Sequence, residues 1–178
     1  LGALGDVSDA WAAIQAAFNA TSGDVLISDG EYDLTQQLIL KRSNLKIYGS
    51  RAAILNPTNM AIGTHPDGWL LFNVITVADR PNHFTNKISD IEITGFTITQ
   101  NAFKSVMPVA TYCRMIIMYN VHGFKIHDMN VEHLGHFLTT QYCSSFDIEH
   151  NILDTVAPDN TNNYGDAALA SWDNCVDF

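Results

Sequence analysis

Three side chains of different chemistry stand at one offset in this chain. Arg114, His136 and Asp166 each lie ten positions before an apolar residue, Phe124, Phe146 and Val176 in turn. If the segments that carry them stack as neighbouring strands, about 4.8 Å apart, a guanidinium, an imidazole and a carboxylate form one column. An imidazole beside a carboxylate is favoured in its charged form. In such a column His136 can move a proton, Arg114 can hold an acid group, and Asp166 can work with a second carboxylate in hydrolysis. The same column also reads as a salt-bridged ladder with no chemistry. Thr99, Glu132 and Asp154 follow their own anchors at a second common offset. Stacking puts Glu132 and Asp154 about 5 Å apart. That spacing suits a retaining glycosidase pair, a shared proton, a bound cation, or two solvated turn residues.

The connections between segments add to the first column. Asn101–Cys113 and Val156–Gly165 are long, whereas only Leu134 and Gly135 separate His133 from His136. Two long loops around one tight turn make a groove with His136 at its floor. Phe103, Met107 and Tyr112 fall in one wall; Asn160, Asn162, Asn163 and Tyr164 fall in the other. Aromatic faces for sugar rings and amides for hydroxyls are what a carbohydrate needs. Other ionisable residues read as structural. Glu92, Lys125, Asp147 and Asp177 follow the first anchor, and Thr94, His127 and Glu149 follow the second, as exposed ladders do. His65, His83 and His122 read as lone loop histidines. His133 and His136 lack the cysteine or carboxylate spacing of a zinc site, and no metal site is assigned.

A repeat must position these residues. Asp90-Ile91-Glu92-Ile93, Phe124-Lys125-Ile126-His127 and Phe146-Asp147-Ile148-Glu149 share one alternation, and Cys175-Val176-Asp177-Phe178 starts it again. Apolar residues alternating with charged ones mark a strand with one buried face. A second apolar position follows each copy, at Ile98, Val131 and Leu153. A further strand precedes it, at Met115–Met118, Phe137–Thr140 and Ala167–Ala170, which predicts Ile116, Leu138 and Ala168 in one row. A self-similar unit of roughly 20–35 residues made of short strands predicts a solenoid. Asn44-Leu45-Lys46-Ile47 is an earlier, less regular copy. Before it, Trp11, Ile14 and Phe18 form a helical stripe, with Ser8 as N-cap and Gly23 ending the helix. Val25–Ile27, Leu38–Leu40 and Asn73–Val77 read as strands, Asp29–Glu31 as a turn, and 56–69 and 79–83 as loops.

The 178 residues carry a net charge of −10 and a pI near 4.8, and no Lys or Arg follows Lys125. Such a chain repels nucleic acid and anionic membranes. No apolar run reaches membrane-spanning length, and no secretory leader is visible. Cys113, Cys143 and Cys175 do not look like a disulfide framework; small buried side chains are the expectation.

Taken together, Gly5-Asp6, Ala13-Ile14-Gln15-Ala16-Ala17, Val25-Leu26-Ile27, Gly30-Glu31-Tyr32 and Leu38-Ile39-Leu40 resemble the opening of the pectate-lyase-like superfamily of parallel β-helix proteins. Asp166–Ala170 with Val176–Phe178, and Phe146-Asp147-Ile148 with Asn151 and Leu153, are similar to that superfamily's coil pattern. Its members include polysaccharide lyases, glycosidases, epimerases and phage tailspikes. The resemblance implies an all-β fold, a right-handed parallel β-helix with a short N-terminal capping α-helix. Residues 1–50 are then the cap and first strands, and 51–178 the coils, which end mid-coil as in the front part of a longer protein. It implies a tailspike-type depolymerase that binds and cleaves a host surface polysaccharide. The alternatives are a non-catalytic adsorption fibre and a secreted lyase or epimerase. No cofactor is implied, except calcium for a lyase. The implied assembly is a homotrimer, and the implied location is a virion or the extracellular space.

Overall fold

In the computed structural model, the described residues are 10–58, 63–64, 70–78, 85–99, 111–132, 136–154 and 168–172. One helix, α1 (Trp11–Asn19), precedes sixteen strands: β1 (Val25–Ile27), β2 (Gly30–Leu34), β3 (Leu38–Leu40), β4 (Leu45–Gly49), β5 (Ala53–Pro57), β6 (Gly63–Thr64), β7 (Leu70–Val77), β8 (Ile88–Thr94), β9 (Thr97–Ile98), β10 (Thr111–Tyr119), β11 (Val121–His127), β12 (Asn130–Glu132), β13 (His136–Gln141), β14 (Ser144–Glu149), β15 (Ile152–Asp154) and β16 (Ala168–Trp172). The strands fall into three parallel sheets. The first holds β1, β4, β8, β11 and β14, the second β2, β5, β9, β12 and β15, and the third β3, β7, β10, β13 and β16. From β7 onward the chain visits the third, first and second sheets in strict rotation. The architecture is all-β and compatible with a β-helix.

The repeat sets the register. Leu45, Ile91, Phe124 and Phe146 are successive Cα partners across the first sheet, and so are Val25, Ile47, Ile93, Ile126 and Ile148. Tyr32, Leu55, Ile98, Val131 and Leu153 form the matching row of the second sheet. Period-2 alternation turns the middle of each row inward, where Ile47, Ile93, Ile126, Leu55, Ile98 and Val131 are all fully buried, whereas at the row ends Phe146 and Ile148 are partly buried and Leu153 is 36% exposed. The predicted position of Phe178 lies outside the described residues.

Several local expectations are corrected. The helix is capped at Ala10, not Ser8, and no side chain caps it. The Ala10 N–H donates instead to the Asp33 carbonyl in β2, 2.8 Å away, so a strand satisfies an N-terminal donor that a serine would otherwise take. The helix ends at Asn19 with Ala20 as C-cap, before Gly23, whose φ of 84° turns the chain. Gly30 and Glu31 belong to β2 rather than a turn. The 56–69 segment contains the end of β5 and the short β6, which pairs antiparallel with β7.

The helix covers an open edge. β3 ends the third sheet. The Gln15 side-chain amide donates to the Ile39 carbonyl at 2.7 Å and accepts from the Ile39 N–H at 2.8 Å, as a neighbouring strand would. The Trp11 indole N–H donates to the Gln37 carbonyl at 2.9 Å. Ile14 and Phe18 sink into the core beside them. Unpaired strand edges invite association, and these side chains blunt one.

Candidate functional site

The third sheet carries a polar row inside an apolar one. Asn73 in β7, Arg114 in β10 and His136 in β13 are successive Cα partners. Two positions on, the partners are Ile75, Ile116 and Leu138, each buried. Asn73 is only 9% exposed, and its Oδ1 has no hydrogen-bond partner among the described residues. A buried acceptor left unpaired costs about 1–3 kcal/mol. Sequence reasoning placed Arg114 beside His136 but missed Asn73, because the β7 copy lacks the regular spacing of the later ones.

In β16 the residue opposite His136 is Ala168. β13 meets β16 with a shift between His136 and Leu138, so that His136 pairs with Ala168 and Leu138 with Leu169, rather than Leu138 with Ala168. One extra residue, Phe137, accounts for the slip: two steps along β13 match one along β16. Asp166 itself lies outside the described residues, as do Phe103, Met107, Asn160, Asn162, Asn163 and Tyr164. Tyr112 stands not in a loop wall but in β10, opposite Leu71, because β7 begins at Leu70 and offers it a pairing partner.

The second candidate pair is in register. Glu132 ends β12 and Asp154 ends β15, and the two are Cα partners. Ile98 pairs with Val131, so Thr99 comes next along the rung of Glu132. The Glu132 Oε1 accepts from the Asn130 Nδ2 at 3.0 Å, which fixes the carboxylate beside its own strand.

The outer face of the first sheet carries the two expected ladders. Lys46, Glu92, Lys125 and Asp147 are one row of partners; Tyr48, Thr94, His127 and Glu149 are the other. Lys46 Nζ lies 2.6 Å from Glu92 Oε1, and Lys125 Nζ lies 2.5 Å from Glu149 Oε1 and 3.4 Å from Asp147 Oδ2. The His127 ring bridges Asp128, at 2.6 Å, and Glu92, at 3.1 Å. Burial opposes a charge on this ring, but the two carboxylates outweigh it and hold its pKa above the usual imidazole value. The hydrogen bond from Lys46 leads the causes that lower the Glu92 pKa, and the His127 contact leads those that lower Asp128. The residues just before the row Leu45, Ile91, Phe124 and Phe146, namely Asn44, Asp90, Gly123 and Ser145, share a left-handed backbone with φ between 55° and 67°. Beside them runs an open cleft of about 390 Å³, lined by Asp24, Asn44, Lys46, Asp90, Glu92 and Lys125 among others.

His122 is no lone loop histidine. It lies in β11, with Ser89 and Ser144 as its Cα partners in the neighbouring strands. Its Nδ1 is hydrogen-bonded to the Ser144 Oγ, and its Nε2 lies 3.3 Å from the Asn120 Oδ1. The interval between His122 and Ser144 is the one that separates Phe124 from Phe146, so the repeat itself was the signal.

Among the described residues, no group of three or more His, Cys, Asp or Glu could hold a metal ion, and no helix is long and apolar enough to cross a membrane. Cys143 is buried with its thiol toward the Met118 and Gln141 carbonyls. No family model matches this chain, and no curated protein or solved structure is significantly similar to it.

Proposed function

We propose that the three sheets are the faces of a right-handed parallel β-helix, and that the protein binds and cleaves a host surface polysaccharide as a tailspike-type depolymerase does. The observation that carries this reading is the row Asn73–Arg114–His136 across three adjacent strands of the third sheet. It places an amide, a permanent cation and an imidazole at the regular spacing of parallel strands. In sequence, the long connections 99–110 and 155–167 lie on either side of the short 133–135, so the row has material to wall it.

In this reading His136 moves the proton at the scissile bond. Arg114 holds the negative charge that develops there. The Glu132–Asp154 pair, Cα partners at two strand ends, is the alternative location for hydrolysis, since a double displacement needs two carboxyls about 5 Å apart. The strongly negative chain favours a neutral polymer over a uronate. The resemblance to tailspikes supports a trimer and a virion or extracellular location; light scattering at monomer mass in solution would remove the trimer.

The test is incubation with a panel of bacterial surface polysaccharides. Reducing ends without ultraviolet-absorbing unsaturated ends indicate hydrolysis, and both together indicate elimination. Binding without new ends indicates an adsorption module instead.

A further inference from the structure

Ser144, His122 and Asn120 form a hydrogen-bonded chain that the account above does not use. The Ser144 Oγ meets the His122 Nδ1, and the His122 Nε2 meets the Asn120 Oδ1 at 3.3 Å. An amide oxygen can only accept, so the ring proton sits on Nε2 and Nδ1 is left as a lone-pair acceptor for the serine hydroxyl. A serine whose proton points at a neutral imidazole, itself oriented by a third group, is the arrangement of an activated nucleophile.

The fold holds each member separately. Asn120 occupies the bend between β10 and β11 with φ 54°, a conformation asparagine tolerates. Its N–H donates to the Gln141 carbonyl at 2.9 Å, and its own carbonyl accepts from the Ile88 N–H at 3.0 Å. Its backbone is therefore tied on both sides, and its side chain is free to meet the ring. His122 and Ser144 are fixed as Cα partners in β11 and β14. All three members are half-buried, and the next residue after His122, Gly123, lines the open cleft of the first sheet. Burial lowers the His122 pKa below the usual imidazole value, and the charge of Lys87 adds to the effect. The ring is therefore a neutral base near pH 7.

We propose that Ser144, with His122 as its base and Asn120 as a positioning residue, is an acyl-transfer centre acting on small O-acyl esters, separate from the glycosidic chemistry of the third sheet. In the first step the Ser144 Oγ forms a bond to the ester carbonyl carbon and its proton passes to His122 Nδ1. The ester C–O bond breaks, and the departing alkoxide takes that proton. In the second step water gives a proton to Nδ1 and its oxygen bonds the acyl carbon. The acyl–Oγ bond then breaks, and the proton returns to Ser144. Atoms and charges balance with water as the only co-reactant.

The experiment uses the whole chain and two probes, a fluorophosphonate and p-nitrophenyl acetate. Intact-mass analysis after fluorophosphonate treatment should show one adduct, and peptide mapping should place it on Ser144. Turnover of p-nitrophenyl acetate should fall about a hundredfold in His122→Gln, which keeps a hydrogen-bonding side chain but cannot accept the proton. Asn120→Asp should move the acidic limb of the pH–rate profile upward, because a carboxylate beside Nε2 favours the imidazolium. An unmodified wild-type protein, an adduct on any other residue, or His122→Gln turning over ester like wild type would each overturn the proposal. None of these readouts involves a polysaccharide, so the depolymerase reading stands or falls apart from them.

Discussion

Phe124 lies flat on Phe146, ring centroids 5.0 Å apart and planes 12° from parallel. The two residues are Cα partners in adjacent strands of the first sheet, so the stack is the register made visible in side chains. Phe124 is 2% exposed and sits between Ile91 and Phe146, while Phe146 packs against the core only in part. Phe124→Ala should therefore cost about 3–5 kcal/mol, and Phe146→Ala clearly less. Urea midpoints of the two variants check the order; equal losses would mean that the stack is not anchored from the Ile91 side.

Gly95 meets the backbone of Gly49 more closely than any side chain permits. A Cβ added at Gly95 would lie 2.3 Å from the Gly49 carbonyl oxygen, on a residue whose φ is already +88°. Gly95→Ala should destabilise by more than the about 1–3 kcal/mol of left-handed strain alone, because the obstacle is backbone and cannot rotate away. Gly23→Ala carries the strain without the clash, since nothing lies within 4 Å of its Cβ position. Thermal melts should rank Gly95→Ala well below Gly23→Ala.

The Glu92–His127–Asp128 cluster predicts a pH window. The folded state raises the His127 pKa, so its contribution is fully present below about pH 6.5 and fades as pH rises through the folded value. Glu92 and Asp128 are lowered, so their contribution is present above about pH 4.5 and fades as pH falls. The stability difference between wild type and His127→Gln should be greatest between about pH 4.5 and 6.5 and shrink on both sides. Taking the difference cancels the opposite trend from His122, whose pKa is lowered. Urea titrations at four pH values would show a flat difference if the cluster is electrostatically idle.

The rows of the first two sheets were legible because their strands have one buried and one wet face. Ile93, Ile126 and Ile148 alternate with Glu92, Lys125 and Asp147, and period 2 fixes such a strand uniquely. The third sheet was less legible for the converse reason. Val74 and Ile75, Met115 and Ile116, and Phe137 and Leu138 are all buried side by side. With no polar face to mark the phase, the slip at Phe137 left no trace in the sequence, and Ala168 was assigned to the wrong row. The start of the helix was hidden differently. Its cap is a hydrogen bond from Ala10 to Asp33, a partner chosen by the fold and not by the local sequence. His122 and Ser144 carry the repeat interval but match no motif, so only the fold shows their pairing.

The proposed site is tested most directly by turnover and melting temperature measured together on His136→Ala, with a polysaccharide that the wild-type chain cleaves. If the Asn73–Arg114–His136 row performs the cleavage, turnover falls about a hundredfold or more while the melting temperature stays at the wild-type value. Wild-type turnover in His136→Ala would contradict the account and move the chemistry to Glu132 and Asp154.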